Sequence, residues 1–218
     1  MDDLLRQLAQ GQLKSGQLPR TIDVWDLEEG FDDLRRCAFG DQVEWGGCIV
    51  IEDNRLQLAH QVSGWDEGVN PNCKLEDHLL YVGFAHIHLP DPITGKPYLG
   101  FSERDFRGTL VDGDNLALVC NGPEVFALVR ASDCTARQVP DAAEFASWEK
   151  LFDDLIERAR GAMASDPQAR ERGSIALNRA LWQANREMCR RLGFAFYRGL
   201  WGQPLLLAYR PLPGVTGV

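Results

Sequence analysis

The order of apolar and polar residues predicts a helix followed at once by a pair of strands in the first third of the chain. Residues 27–39 carry apolar side chains at helical intervals, and Gly40 stands where helices commonly end. Residues 45–52 then have the pattern of a strand, residues 53–54 that of a turn, and residues 55–62 alternate as a partner strand. This part of the chain is therefore expected to form a helix and a hairpin.

A nearly continuous apolar run at residues 79–88 predicts a central strand that is buried on both faces. On either side of it, residues 63–77 and 90–100 are rich in glycine, proline, asparagine and aspartate, which favours irregular loops. A short helix is expected to begin at Ser102. Two further strands are predicted after it, at residues 116–120 and 125–130.

The pattern becomes helical after residue 140. Asp141 and Glu144 have the spacing of a capping box, and apolar residues recur at helical intervals behind them. A second helix is predicted from Ser174 to a stop at Gly193, followed by a terminal hairpin.

We divide the chain accordingly into three parts. The alternation of strands and helices in the middle part predicts an α/β domain. A short amphipathic stretch and a linker-like segment at residues 11–19 precede it. The parts are an N-terminal appendage at residues 1–25, the main domain at 26–138 and a C-terminal helical extension with its hairpin at 139–218.

Composition and charge narrow the function classes. The 218 residues are 44% apolar and 25% charged, which is typical of a globular protein, and the formal net charge is -9. An acidic chain of this kind does not favour nucleic acid, because phosphate recognition uses clustered lysine and arginine. The N-terminal residues lack the features of a secretory signal, and no apolar run approaches ~20 residues. We expect a soluble, cytoplasmic protein with no membrane partner.

The six cysteines are scattered and include no CxxC pair. Reduced thiols, mostly buried, are the simplest interpretation, so cysteine is not expected to carry the chemistry.

His86 and His88 are the first candidates for chemistry. Residues two apart in a strand project to the same side, so both imidazoles would point together and form half of a zinc site. Ser102 and Asp105 lie on one face of the first turn of a helix. Their spacing is also that of a helix N-cap, and capping and metal binding do not exclude each other.

Two histidines and one aspartate match the ligand count of a catalytic zinc site, which keeps a fourth position for water. Zinc lowers the pKa of that water toward ~7, and a carboxylate is still needed to move its proton to the leaving amine. Glu44, just before a predicted strand, is the candidate base. Glu52 is the rival, although it lies beside the predicted hairpin turn.

These residues together resemble the JAMM (MPN-plus) zinc metalloproteases, which include deubiquitinating enzymes and bacterial relatives. The likeness lies in a helix followed by Glu44 and a glycine-containing strand, in an apolar strand ending in His86-x-His88, and in Ser102-x-x-Asp105. It covers roughly residues 27–130. The resemblance implies a three-layer, cytidine-deaminase-like fold with a mixed, curved sheet flanked by helices.

By the same resemblance, His86, His88 and Asp105 would bind Zn²⁺, Glu44 would be the general base, and Ser102 would hold the carbonyl or its oxyanion. The implied reaction is hydrolysis of a peptide or isopeptide bond after the C-terminus of a ubiquitin-like protein. A bacterial conjugation or antiviral defence system is the implied setting. Its activating (E1-like) and conjugating (E2-like) enzymes would be further partners.

The chain departs from the family pattern in two places. Leu89 separates His88 from Pro90, and the segment leading to Ser102 is several residues longer than usual. That segment is either a lid over an extended peptide or simple drift within the family. Two other functions stay open: a zinc hydrolase of small amides or sulfur-carrier adducts, and a non-catalytic scaffold.

Overall fold

The computed structural model describes residues 3–64, 69, 73, 78–90, 100–134, 141–164 and 167–213. Within these ranges the chain forms five α-helices and eight strands. The helices are α1 (Asp3–Ala9), α2 (Glu28–Asp41), α3 (Glu103–Val111), α4 (Ala142–Ala164) and α5 (Pro167–Leu192). The strands are β1 (Thr21–Ile22), β2 (Trp45–Glu52), β3 (Arg55–Ser63), β4 (Leu80–Ile87), β5 (Leu116–Asn121), β6 (Glu124–Arg130), β7 (Phe194–Leu200) and β8 (Leu205–Tyr209).

All eight strands join one mixed sheet in the order β1-β8-β7-β6-β5-β4-β2-β3. Strands β4 and β5 are parallel, and the other neighbours are antiparallel. Parallel neighbours need a crossover, and α3 lies in the connection between these two strands. The predicted α/β class with a mixed sheet is thus confirmed.

Helices cover both faces of the sheet and create two apolar cores. Side chains of α1 and α2, among them Leu8 and Phe31, pack with one face. Side chains of α3, α4 and α5, among them Phe106, Trp148 and Leu181, pack with the other. The central strands are consequently buried on both sides, which explains why their sequences read as continuous apolar runs.

The hairpin of β2 and β3 forms where the sequence predicts it. Its turn residues Asp53 and Asn54 have φ angles of 48° and 66°, the left-handed conformation that two-residue hairpin turns require. The predicted end of α2 at Gly40 is wrong, because the helix runs on to Asp41. Gln42 takes the left-handed position instead at φ 57°, and its side-chain amide donates to the carbonyl of Phe39.

The two C-terminal helices lead back into the sheet. Helix α5 begins at Pro167, earlier than the predicted Ser174, because proline suits the first turn of a helix. The predicted terminal hairpin exists as β7 and β8, and β7 pairs along its whole length with β6. None of the helices in the described ranges combines the length and apolar character needed to cross a bilayer.

The predicted linker at residues 11–19 is wrong, because this segment packs into the core. Leu13 and Leu18 are buried, and the hydroxyl of Tyr197 donates to the carbonyl of Pro19 over 2.9 Å. The guanidinium of Arg210 donates to the carbonyls of Ser15 and Leu18. These contacts join the N-terminal residues to the last strands of the sheet.

The cysteines also differ from expectation at one pair. Cys48 on β2 forms a disulfide with Cys73, with 5.9 Å between the Cα atoms. The prediction that all six thiols are reduced is wrong here, since a loop residue 25 positions away returns to the strand. Cys120, Cys134 and Cys189 are free and buried, as expected.

Candidate metal centre

The candidate site lies at the end of the sheet where β2 begins and β4 ends. These strands are antiparallel, with Trp45 opposite Ile87, so Glu44 and His88 lie at the same edge. Because side chains alternate along a strand, His86 points to the α3 face while Ile87 joins the opposite core. The rings of His86 and His88 stand 4.6 Å apart.

Two buried imidazoles and one carboxylate converge at this edge. The Nε2 atoms of His86 and His88 are 2.8 Å apart. Asp105, from the first turn of α3, places Oδ1 3.2 Å from Nε2 of His86 and Oδ2 3.4 Å from Nε2 of His88. The structure therefore brings the three proposed zinc ligands together from two separate elements.

The start of α3 explains how Asp105 reaches the histidines. Ser102 is the N-cap, and its backbone N–H and hydroxyl both donate to Oδ2 of Asp105, over 2.7 and 2.9 Å. In return, the amide of Asp105 donates to the Ser102 hydroxyl, which completes a capping box. Asp105 can therefore take part in the cap and approach the imidazoles at the same time. Its Oδ2 accepts the hydrogen bonds of Ser102 and lies near His88, while its Oδ1 lies near His86.

Glu44 stands beside the cluster and Glu52 does not. Oε1 of Glu44 is 3.9 Å from Nε2 of His88, and the Glu44 side chain is 23% exposed. Its backbone is fixed by the amide of Gly64, which donates to the Glu44 carbonyl over 2.7 Å. Glu52 lies at the opposite end of β2, where its Oε1 is 3.5 Å from Nε2 of His78.

Neighbouring charges and hydrogen bonds shift the pKa values of Asp105 and His88. Burial favours protonation of Asp105, but the charge of His86 and the hydrogen bonds of both histidines hold its pKa well below the usual value. Burial alone would lower the pKa of His88. The hydrogen bond and charge of Asp105, with the charge of Glu44, raise the pKa of His88 above its usual value instead.

This donor set fits a divalent metal. The ligand atoms of Glu44, His86 and His88 all lie within 4.8 Å of one another, so this group could hold an ion. Ligand atoms around a tetrahedral zinc at about 2.0–2.1 Å stand about 3.3 Å apart, close to the 2.8–3.4 Å among the two Nε2 atoms and Asp105. Asp105 approaches both imidazoles more closely than Glu44 does.

Asn121 is a site residue that the sequence analysis missed. It is fully buried at the end of β5, with its Nδ2 3.5 Å from Nδ1 of His88 and its Oδ1 without a partner among the described residues. Turning the amide by half a rotation would let Oδ1 accept Nδ1–H, which leaves the Nε2 lone pair free for a metal. The available sequence signal was a polar residue at the end of an otherwise apolar strand.

The floor of the site is narrow at Gly46, which is opposite His86 in the sheet. A Cβ atom there would lie 3.0 Å from Val69 and 3.2 Å from the Cβ of His86. The disulfide residue Cys48 lies opposite Phe84, whose ring stacks on His86 with 5.0 Å between centroids. Glycine at position 46 thus leaves room for the side chain of Val69 and the Cβ of His86.

Compared with known protein families and with curated proteins, the sequence matches none. Function is therefore inferred from the residues and geometry of this edge of the sheet.

Proposed function

We propose that the protein is a zinc-dependent hydrolase of the JAMM type that cleaves a peptide or isopeptide bond. One observation carries the proposal: two buried imidazoles and the carboxylate of Asp105 converge within 2.8–3.4 Å, with a second carboxylate, Glu44, beside them. This is the donor set of a catalytic zinc site together with a candidate base. A mixed sheet in which helix α2 directly precedes strand β2 is also compatible with a JAMM-like, cytidine-deaminase-like fold.

His86, His88 and Asp105 would hold the ion, because both oxygens of Asp105 lie nearer to the imidazoles than Glu44 does. When bound, zinc supplies Lewis-acid chemistry that brings the pKa of a water to about 7. The capping box keeps Asp105 in place, since Ser102 holds its Oδ2 with two hydrogen bonds.

Glu44 is proposed as the general base and acid. Its partly exposed carboxylate is near His88 yet farther from the imidazole nitrogens than Asp105, which suits a group that moves protons. It would accept the proton of the attacking water and pass it to the departing amine.

Ser102 is proposed to stabilise the oxyanion. Its hydroxyl donates to Asp105 in the resting protein, but the Ser102 backbone N–H donates to the same oxygen. The hydroxyl can therefore turn its proton to the substrate while Asp105 stays held.

For the substrate we propose the C-terminus of a ubiquitin-like protein, in its conjugates or its precursor, within a bacterial conjugation or antiviral defence system. The resemblance of Glu44, His86-x-His88 and Ser102-x-x-Asp105 to the JAMM proteases supports this substrate class. Activating and conjugating enzymes of that system would then be partners.

The test combines metal analysis with three variants. We expect one zinc per chain in the wild type and in Glu44→Gln, with cleavage of a ubiquitin-like fusion about 10²–10⁴-fold slower in the variant. Asp105→Asn should lose the zinc. Glu52→Gln is the matched control, since the carboxylate of Glu52 lies at the far end of β2. This variant should keep both the zinc and the activity.

Two results would change the proposal. A wild type without stoichiometric zinc, together with unchanged activity in Glu44→Gln, would favour a non-catalytic scaffold. Faster hydrolysis of small amides than of any ubiquitin-like fusion would keep the mechanism but replace the substrate class.

A further inference from the structure

The side chain of Asn185, on helix α5, forms hydrogen bonds with the segment that leads into the site. This residue is fully buried, and its Oδ1 accepts the backbone N–H of Phe101 over 2.8 Å. Its Nδ2 donates to the carbonyl of Phe101 over 3.0 Å and to the carbonyl of Leu181 over 3.0 Å. A single carboxamide thus satisfies both backbone groups of a residue 84 positions away in the sequence.

The contact needs a close approach of the two backbones. Gly100, just before Phe101, has a φ of +92°, and a Cβ atom there would lie 2.6 Å from Oδ1 of Asn185. Glycine provides both the left-handed conformation and the space. The carboxamide and the glycine therefore fit each other at the point where the chain returns toward the site.

From Phe101 the connection to the metal centre is short. The next residue is Ser102, which caps α3 and binds Oδ2 of Asp105. Asp105 in turn contacts both imidazoles. The ring of Phe101 is buried against Phe106, with 5.9 Å between the centroids, so its backbone and its side chain are both anchored.

We propose that Asn185 is a positioning residue for the metal centre: by fixing the backbone of Phe101, it sets where Ser102 and Asp105 stand against the histidines. The part that concerns zinc rests on the proposed function above. The inference gives α5, which lies outside the JAMM-like region, a direct role in the site. If Asn185 only stabilised the core, its substitution would lower the free energy of unfolding but leave the geometry of the imidazoles unaltered.

The experiment compares Asn185→Ala with Met188→Ala, a buried apolar residue of the same helix that takes part in the core. Three quantities are measured well below each melting temperature: amide exchange of residues 100–106, the imidazole proton signals of the metal-free protein, and the zinc Kd by chelator competition. For Asn185→Ala we expect loss of protection at Phe101, shifted signals of His86 and His88, and about tenfold weaker zinc binding.

The control should lower the melting temperature at least as much while its imidazole signals and zinc Kd stay within about twofold of the wild type. Unchanged imidazole signals in a folded Asn185→Ala, or equal changes in Met188→Ala, would overturn the positioning role.

A second pair of variants addresses the same contact from the other side. Gly100→Ala should reproduce the signature of Asn185→Ala, because the new methyl group would displace Oδ1. Gly108→Ala on α3 has open space around its Cβ position and should resemble the wild type at the imidazoles. If Asn185→Ala does not fold, this pair decides the inference.

The outcomes separate the two proposals. A wild type that binds no zinc would refute the proposed function alone. The amide exchange and imidazole signals of the metal-free variants would still decide whether Asn185 positions the site.

Discussion

The pH dependence of stability can be predicted from Asp114. This buried carboxyl lies near the start of β4, at the opposite end of the strand from the metal centre. Asp114 is fully buried, its Oδ1 accepts the Tyr81 hydroxyl over 2.5 Å, and its Oδ2 has no partner in the described part of the chain. Burial raises the pKa of Asp114 from its usual 3.8 to about 7, with Asp112 adding to the rise. The hydrogen bond of Tyr81 and the charge of Arg130 oppose it.

The sign follows from proton linkage. Between pH 3.8 and about 7 the folded protein holds a proton at Asp114 that the unfolded chain has released, so the free energy of unfolding falls as pH rises through this window. A shift of about 3 pKa units corresponds to at most about 4 kcal/mol, and we expect about 2–4 kcal/mol. Above pH ~7 the contribution is flat. This is a large part of a typical stability of about 5–15 kcal/mol.

The measurement is urea unfolding of the wild type and Asp114→Asn from about pH 4 to about pH 8. Asparagine does not titrate, so the variant should gain about 2–4 kcal/mol relative to the wild type across this range, whatever its stability at low pH. Tyr81→Phe removes a hydrogen bond to the carboxylate and should extend the window to higher pH. Parallel pH profiles of the wild type and Asp114→Asn would refute the reasoning.

Three other predictions concern the sheet, the site and the disulfide. Gly83→Ala should lower the free energy of unfolding by at least about 4 kcal/mol or prevent folding, because its Cβ would lie 1.8 Å from the carbonyl oxygen of Leu116. Urea unfolding measures this free energy, and a decrease below about 1 kcal/mol would contradict the prediction. Asn121→Ala should weaken zinc binding about 10–100-fold by freeing His88, and an unchanged Kd in chelator competition would argue against that role. Cys73→Ser should lower the free energy of unfolding by about 3 kcal/mol, because it opens a loop of 25 residues; equal urea midpoints for variant and wild type would refute this.

Local signals in the sequence predict much of the fold. The bounds of β2 and its two-residue turn follow from an apolar run and an Asp-Asn pair, and both are observed. Spacing alone also places His86 and His88 on one side of β4 and makes Ser102 the cap of α3. Each of these depends on residues close in sequence, which is why periodicity and capping rules reach them.

Other features depend on residues that meet only in the folded chain. Nothing near Asn185 indicates that it binds Phe101, because the partner lies 84 residues away. Cys48 pairs with Cys73, which lies 25 residues away, and no sequence pattern indicates this pairing. Asn121 lies beside His88 because β4 and β5 are parallel, and strand order is not readable from the apolar pattern.

The contacts between the N-terminal segment and the last strands also bear on how the chain folds as it is synthesised. Strand β1 pairs with β8, and Arg210 binds carbonyls that lie 192 and 195 residues earlier. Contacts this distant in sequence form late, because the intervening chain must first be brought together. The carbonyls of Ser15 and Leu18 gain their Arg210 partner only after Arg210 has left the ribosome. Until then the apolar side chains of the N-terminal segment stay exposed, and they form a surface to which a general chaperone can bind.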